Sequence, residues 1–137
     1  MSPSKKSGLK KKALLIVGVV IFAGAGAKLL DLWHDLKAKK TVTEMVRLER
    51  ALTVAELTDV DPESLEQLVS TSEVPLSLVD GWGRLFIVEK HMEEERVFFS
   101  VRSLGRDGRI GKCCQKWADD WDDDAVIAGG EWQQVWR

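Results

Sequence analysis

The sequence has no tyrosine, three prolines, two histidines and two cysteines, and the cysteines are neighbours, Cys113 and Cys114. Adjacent cysteines rule out the C-x-x-C spacing of a structural zinc site, and His34 and His91 lie too far off in sequence to complete one. No serine stands in a nucleophile elbow, and neither a P-loop nor a dinucleotide fingerprint is present, so the usual marks of hydrolytic and nucleotide chemistry are missing. No D-x-D-x-D-G followed by Glu occurs, which excludes an EF-hand. No internal repeat of useful length is visible, which excludes a solenoid. What remains is of ordinary proportion. Hydrophobic residues at 45% and charged residues at 31% of a 137-residue chain leave room for one domain and exclude wholesale disorder.

The net charge of -2 hides a split between the two ends. Residues 1–40 hold nine Lys and two Asp, a net +7, while residues 41–137 carry a net -9. An acidic body is a poor partner for phosphate, so nucleic acid is not expected. The basic excess stands beside an apolar run. Lys5, Lys6, Lys10, Lys11 and Lys12 precede Ala13 to Ala27, which has no charged or polar side chain. Eight of those fifteen residues are Leu, Ile, Val or Phe, enough to enter a bilayer despite three glycines. At about 1.5 Å per residue the run covers roughly 22 Å of a hydrocarbon core about 30 Å thick, so a span must extend to about Trp33 with Lys28 snorkelling. The resulting division is a basic cytoplasmic N-terminus, 1–12, a transmembrane anchor, 13–33, and an extracytoplasmic domain, 34–137. A cleaved secretory signal is the competing reading, because A-G-A-G-A at Ala23 to Ala27 offers small residues before Lys28. Both readings export the body.

Beyond the anchor, apolar residues from Leu29 to Leu57 recur at helical spacing with charges between them and no proline before Pro62. This predicts one long helix that ends near residues 52–57. A second helix is predicted to start at Asp61, an N-cap acceptor followed by Pro62, with Leu65, Leu68 and Val69 on one face. The pattern then turns to β-branched and aromatic residues, predicting strands at Leu85 to Lys90 and Arg96 to Ser103 with H-M-E-E-E as the hairpin loop. A glycine-rich loop follows, and Glu131 to Trp136 reads as a third strand. The fold class is α+β, a long helix whose apolar stripe is buried against a small antiparallel sheet.

Order of elements and local strings then coincide with a known pattern. A basic N-terminus and an apolar segment running into a long helix are followed by D-G-W-G-R-L-F-I-V at Asp80 to Val88 and F-S-V-R-S-L-G-R-D-G-R-I-G at Phe99 to Gly111. Over roughly residues 40–128 the chain resembles the protein G family of type II secretion pseudopilins, in which the matching strings are D-P-W-G-x-P-Y and S-L-G-A-D-G followed by an acidic segment. Here that segment is D-D-W-D-D-D-A-V-I, Asp119 to Ile127, within the loop 104–128. The chain departs from the family at three places. Gly8 is followed by Leu9 and Lys10, no Glu lies in Ala13 to Ala27, and position 81 is Gly where the family usually has Pro, both being turn residues. The first two departures predict that prepilin peptidase leaves the chain uncut.

Five aspartates between Asp119 and Asp124 repel one another unless solvent or a bound ion offsets them, and calcium accepts six to eight oxygens in flexible geometry. The resemblance implies calcium held between the S-L-G-x-D-G loop and the acidic stretch. Carried onto this chain, its ligands are the Leu104 carbonyl, the Asp107 side chain, the Arg109 carbonyl, and carboxylates of Asp123 and Asp124. A solvated acidic loop is the plain alternative. The two cysteines are open to a bond with each other, to pairing with another chain, or to the reduced state. Trp33 fits a membrane interface, Trp82 the D-x-W-G turn, and Trp117, Trp121, Trp132 and Trp136 fit clamps on the acidic loop.

Taken together, the expected protein is no enzyme but a single-span pseudopilin-like assembly subunit with a calcium-stabilised loop, in the inner membrane with its C-terminal domain periplasmic. Its expected partners are other pseudopilin subunits and inner-membrane secretion components, in a homo- or hetero-oligomer. The alternatives are an exported calcium-dependent binding module released by signal cleavage, and a non-polymerising accessory subunit.

Overall fold

A computed structural model describes the backbone of residues 4–136 and the side chains of residues 25–136. The basic segment 1–12 and the larger part of the apolar run lie outside the described side chains. Among the described residues no helix is long and apolar enough to cross a membrane. The chain divides into two units, residues 1–35 and residues 36–137. Within the first, the described side chains belong to helix, and Leu29, Leu30, Leu32 and Trp33 are all exposed.

Helix α1 runs from Ser4 to Ala55 and α2 from Pro62 to Thr71; four strands follow, β1 Ile87–Glu93, β2 Arg96–Ser103, β3 Ala125–Ala128 and β4 Glu131–Gln134. The strands form one antiparallel sheet in the order β1-β2-β3-β4. The α+β class and the long helix on a small sheet are as expected. So is the start of α2, where Asp61 Oδ1 accepts the Ser64 N–H at 2.8 Å and Pro62 occupies the first turn.

In the second unit α1 buries Ala38, Thr41, Met45, Leu48 and Leu52, residues three and four apart that make one stripe. Against it lie Phe99, Val101 and Ile127, alternate residues of β2 and a residue of β3. Leu65 and Leu68 of α2 pack onto the same core.

Three expectations about the sheet need correction. The H-M-E-E-E string is mostly strand, because His91, Met92 and Glu93 pair with Phe98, Val97 and Arg96. The turn itself is only Glu94 and Glu95, at φ 48° and 66°. A two-residue turn of that hand suits strand twist, yet it ordinarily uses Asn-Gly, so glutamates concealed it. The second correction is β3, whose residues fall in the expected loop 104–128. It pairs with β2 and turns through Gly129 and Gly130, both at positive φ, into β4. The strand expected to reach Trp136 ends at Gln134, and Val135 instead forms a parallel bridge with Trp117.

Candidate functional site

The D-x-W-G turn is organised by its aspartate. Asp80 is buried, and its Oδ1 accepts the N–H groups of Trp82 and Arg84 at 2.9 and 3.0 Å, while its Oδ2 accepts the Ser103 hydroxyl at 3.0 Å. One side chain thereby closes the turn and fastens it to the end of β2. The Gly81 N–H donates to Thr41 Oγ1 at 2.7 Å, and the Thr41 hydroxyl donates to the Lys37 carbonyl at 2.7 Å, so the turn is docked on α1. A Cβ at position 81 would strike the Lys37 carbonyl oxygen. Proline, which has no N–H and carries a Cβ, does not suit this contact, and glycine there is a requirement of close approach.

The turn also sends Arg84 into the glycine-rich loop. Its Nη1 donates to the carbonyls of Gly105 and Arg106 at 3.1 and 2.9 Å, and a Cβ on Gly108 would strike the same guanidinium. Gly105 itself lies at φ 74° against the carbonyls of Trp121 and Asp123, where a side chain has no room. The Arg106 N–H donates to the Trp121 carbonyl at 2.6 Å, joining the two halves of the loop.

The aspartates have separate partners. Asp122 receives Arg106 Nε and Nη2, each at 2.7 Å, in a two-pronged pair. Hydrogen bonding to Asp122 holds the Arg106 guanidinium above its ordinary pKa, and the charges of Asp122, Asp120 and Asp107 add to that. Asp124 is fully buried, with Oδ2 2.6 Å from Arg102 Nε and Oδ1 accepting the Gly111 N–H at 3.1 Å. Asp123 Oδ2 accepts the N–H groups of Asp119 and Asp120 at 2.8 and 3.3 Å, and Asp107 Oδ1 accepts that of Arg109 at 2.9 Å. The Asp107 contact is a local Asx turn, whereas Asp123 reaches back to N–H groups four and three residues before it.

Of the expected calcium ligands, then, Asp107, Asp123 and Asp124 serve three different turns. Arg109 contributes an N–H to Asp107, and Leu104 is half-buried between Ser103 and Gly105. No group of three or more His, Cys, Asp or Glu is placed to hold a metal ion among the described residues.

Sequence reasoning passed over Arg84, Arg102, Arg106 and Gln134. The arginines left a signal, since counter-charges among repelling aspartates are the residues to suspect first. Gln134 left none. It is buried, its Nε2 donates to the carbonyls of Asp124 and Lys112 at 2.7 and 3.1 Å, and its Oε1 accepts the Gln115 N–H at 3.1 Å. Trp136 adds an Nε1–H bond to the Asp123 carbonyl at 3.0 Å and meets Trp82 edge-on at 5.5 Å. Trp117, by contrast, is exposed. Cys113 and Cys114 are bonded to each other.

One pair resembles catalytic equipment. His91 Nε2 lies 2.8 Å from Ser100 Oγ on the outer face of the sheet. Glu89 approaches the same Nε2, at 3.7 Å, so it does not orient the ring through Nδ1 as a base-positioning carboxylate does. The ring stacks on Phe98 at 5.0 Å, which makes it a cross-strand contact. No family model, curated protein or solved structure matches this chain.

Proposed function

We propose that the chain is a membrane-anchored, pilin-like assembly subunit of a type II secretion or related machine, with residues 34–137 outside the cytoplasm and no catalytic role. The observation that carries this reading is the exposed apolar surface on α1. Leu29, Leu30, Leu32, Trp33 and Leu36 each expose more than half of their surface directly after an apolar run with lysines on its far side. A helix so arranged is suited to burial in lipid and against neighbouring helices, since large apolar surfaces on a lone soluble helix are unfavourable. The D-x-W-G turn supports the same reading. It docks on the second unit's part of the helix through Gly81 and Thr41, which fastens the turn beside the small sheet to the helix that continues from the apolar run.

Amine-directed crosslinking of native membranes tests this, because Lys37, Lys39 and Lys40 lie just beyond the apolar surface. The expected result is a ladder of crosslinked species containing this chain, lost when Leu32 and Leu36 are replaced together by Glu. A soluble, monomeric product beginning at Lys28 instead means release by signal cleavage and an exported binding module. A membrane-bound chain that yields no ladder means a non-polymerising accessory subunit.

A further inference from the structure

The geometry points to a loop closed by the chain's own guanidinium groups, Arg84, Arg102 and Arg106, which take the place that the family resemblance gives to calcium. This inference does not rest on the assembly reading. A calcium ion in such a loop has two tasks, to neutralise converging carboxylates and to gather backbone carbonyls. Both are already performed here by side chains. Arg106 neutralises Asp122 through both of its oxygens, and Arg102 neutralises the buried Asp124. Arg84 gathers the carbonyls of Gly105 and Arg106, and Arg102 Nη2 reaches the Gly111 carbonyl at 3.4 Å.

The fit is specific to arginine. With Nε and Nη2 a planar fork engages both oxygens of Asp122 at Arg106, and a carboxylate and a carbonyl together at Arg102, where a lysine ammonium is a single point of charge. Position 106 is also the variable one in S-L-G-x-D-G, where the family pattern has alanine. An alanine leaves the acidic stretch without a counter-charge from that turn, and the arginine supplies it. Gly108 shows how closely the cation is seated, since even a methyl group there collides with Arg84. Three fixed positive charges disfavour a divalent ion beside them, and both oxygens of Asp122 and of Asp124, with one oxygen each of Asp107 and Asp123, already accept from protein donors. The loop is therefore ordered without metal, and its order depends on ionic strength, because two of its ion-pair partners, Arg106 and Asp122, are partly open to solvent.

The test is thermal unfolding of the full chain in detergent micelles, followed by tryptophan fluorescence, in chelator and in millimolar calcium. The wild-type melting temperature is expected to agree within about 1 °C between the two, against a shift of several degrees for a filled calcium site. Arg106→Ala and the near-isosteric Asp122→Asn are each expected to melt roughly 3–6 °C lower at low salt, with the difference shrinking in 1 M salt. A calcium-dependent rise of several degrees in the wild-type chain overturns the proposal. So does either variant melting with the wild type at low salt.

Discussion

The helix–sheet core and the loop at 104–124 are neighbours in one unit, yet they are held by opposite means. In the core, Met45, Leu48, Leu52 and Val101 are fully buried, and close-packed apolar contact does the work. In the loop, apolar side chains are few and the turns are closed by polar groups: Asp107, Asp123, Asp124, three arginines and Gln134. Burial of hydrocarbon is not weakened by charge screening and is tolerant of sequence, whereas a hydrogen-bonded loop needs each donor and acceptor in place. A small sheet with one long and one short helix on it does not extend its apolar core over the excursion 104–124. Polar closure is the remaining way to order one.

This contrast can be broken from either side. The largest effect is expected from the core, where Leu48→Ala removes a fully buried side chain and should cost about 4 kcal/mol, unchanged between low and high salt. Denaturant unfolding at two ionic strengths measures both. Next is Arg102→Ala, which strands the buried Asp124 carboxylate with only the Gly111 N–H. A loss of about 3 kcal/mol is expected. Here Asp124→Asn in the same background should recover part of it, because the stranded charge disappears.

A smaller effect is expected at the junction of the two regions. Gly81→Ala forces a methyl group against the Lys37 carbonyl and should cost about 2 kcal/mol by overpacking. The smallest belongs to the α2 cap. The Ser64 side chain and N–H hold the Asp61 carboxyl below its ordinary value of 3.8. Its folded pKa is thus the lower one, so the cap's contribution is complete above about pH 4 and is lost as pH falls through that depressed value. Amide exchange in residues 63–66, compared between the wild type and Asp61→Ala, should differ at neutral pH and converge in strong acid.

The same contrast explains what could be read in the sequence. Apolar periodicity carries the core, so α1 and its burial on a sheet were legible from residues such as Met45, Leu48 and Leu52 at helical spacing. The α2 start was legible because Asp61-Pro62 is a local chemical signal. The Glu94-Glu95 turn was not, since its backbone is set by the pairing of β1 with β2 and overrides what glutamate prefers. Strand β3 was hidden because A-V-I-A is short and follows five aspartates. The resemblance drew attention to the acidic loop and to Asp80, but polar closure depends on which partner each group meets. Arg84 lies about twenty residues before the carbonyls it holds, and Gln134 ten after Asp124, separations that no local pattern encodes.

The central claim is that two adjoining regions are ordered by different forces, with no metal in either. Hydrogen exchange read by mass spectrometry on the full chain tests it most directly, comparing peptides covering residues 45–52 and 97–103 with peptides covering 104–124. Protection in the core peptides should be unaffected by salt, chelator or calcium. In the loop it should fall as salt rises from about 0.05 to 1 M, where the screening length shrinks to about 3 Å, and should not change between chelator and calcium. Loop protection that collapses in chelator and returns with calcium, while ignoring salt, contradicts the account.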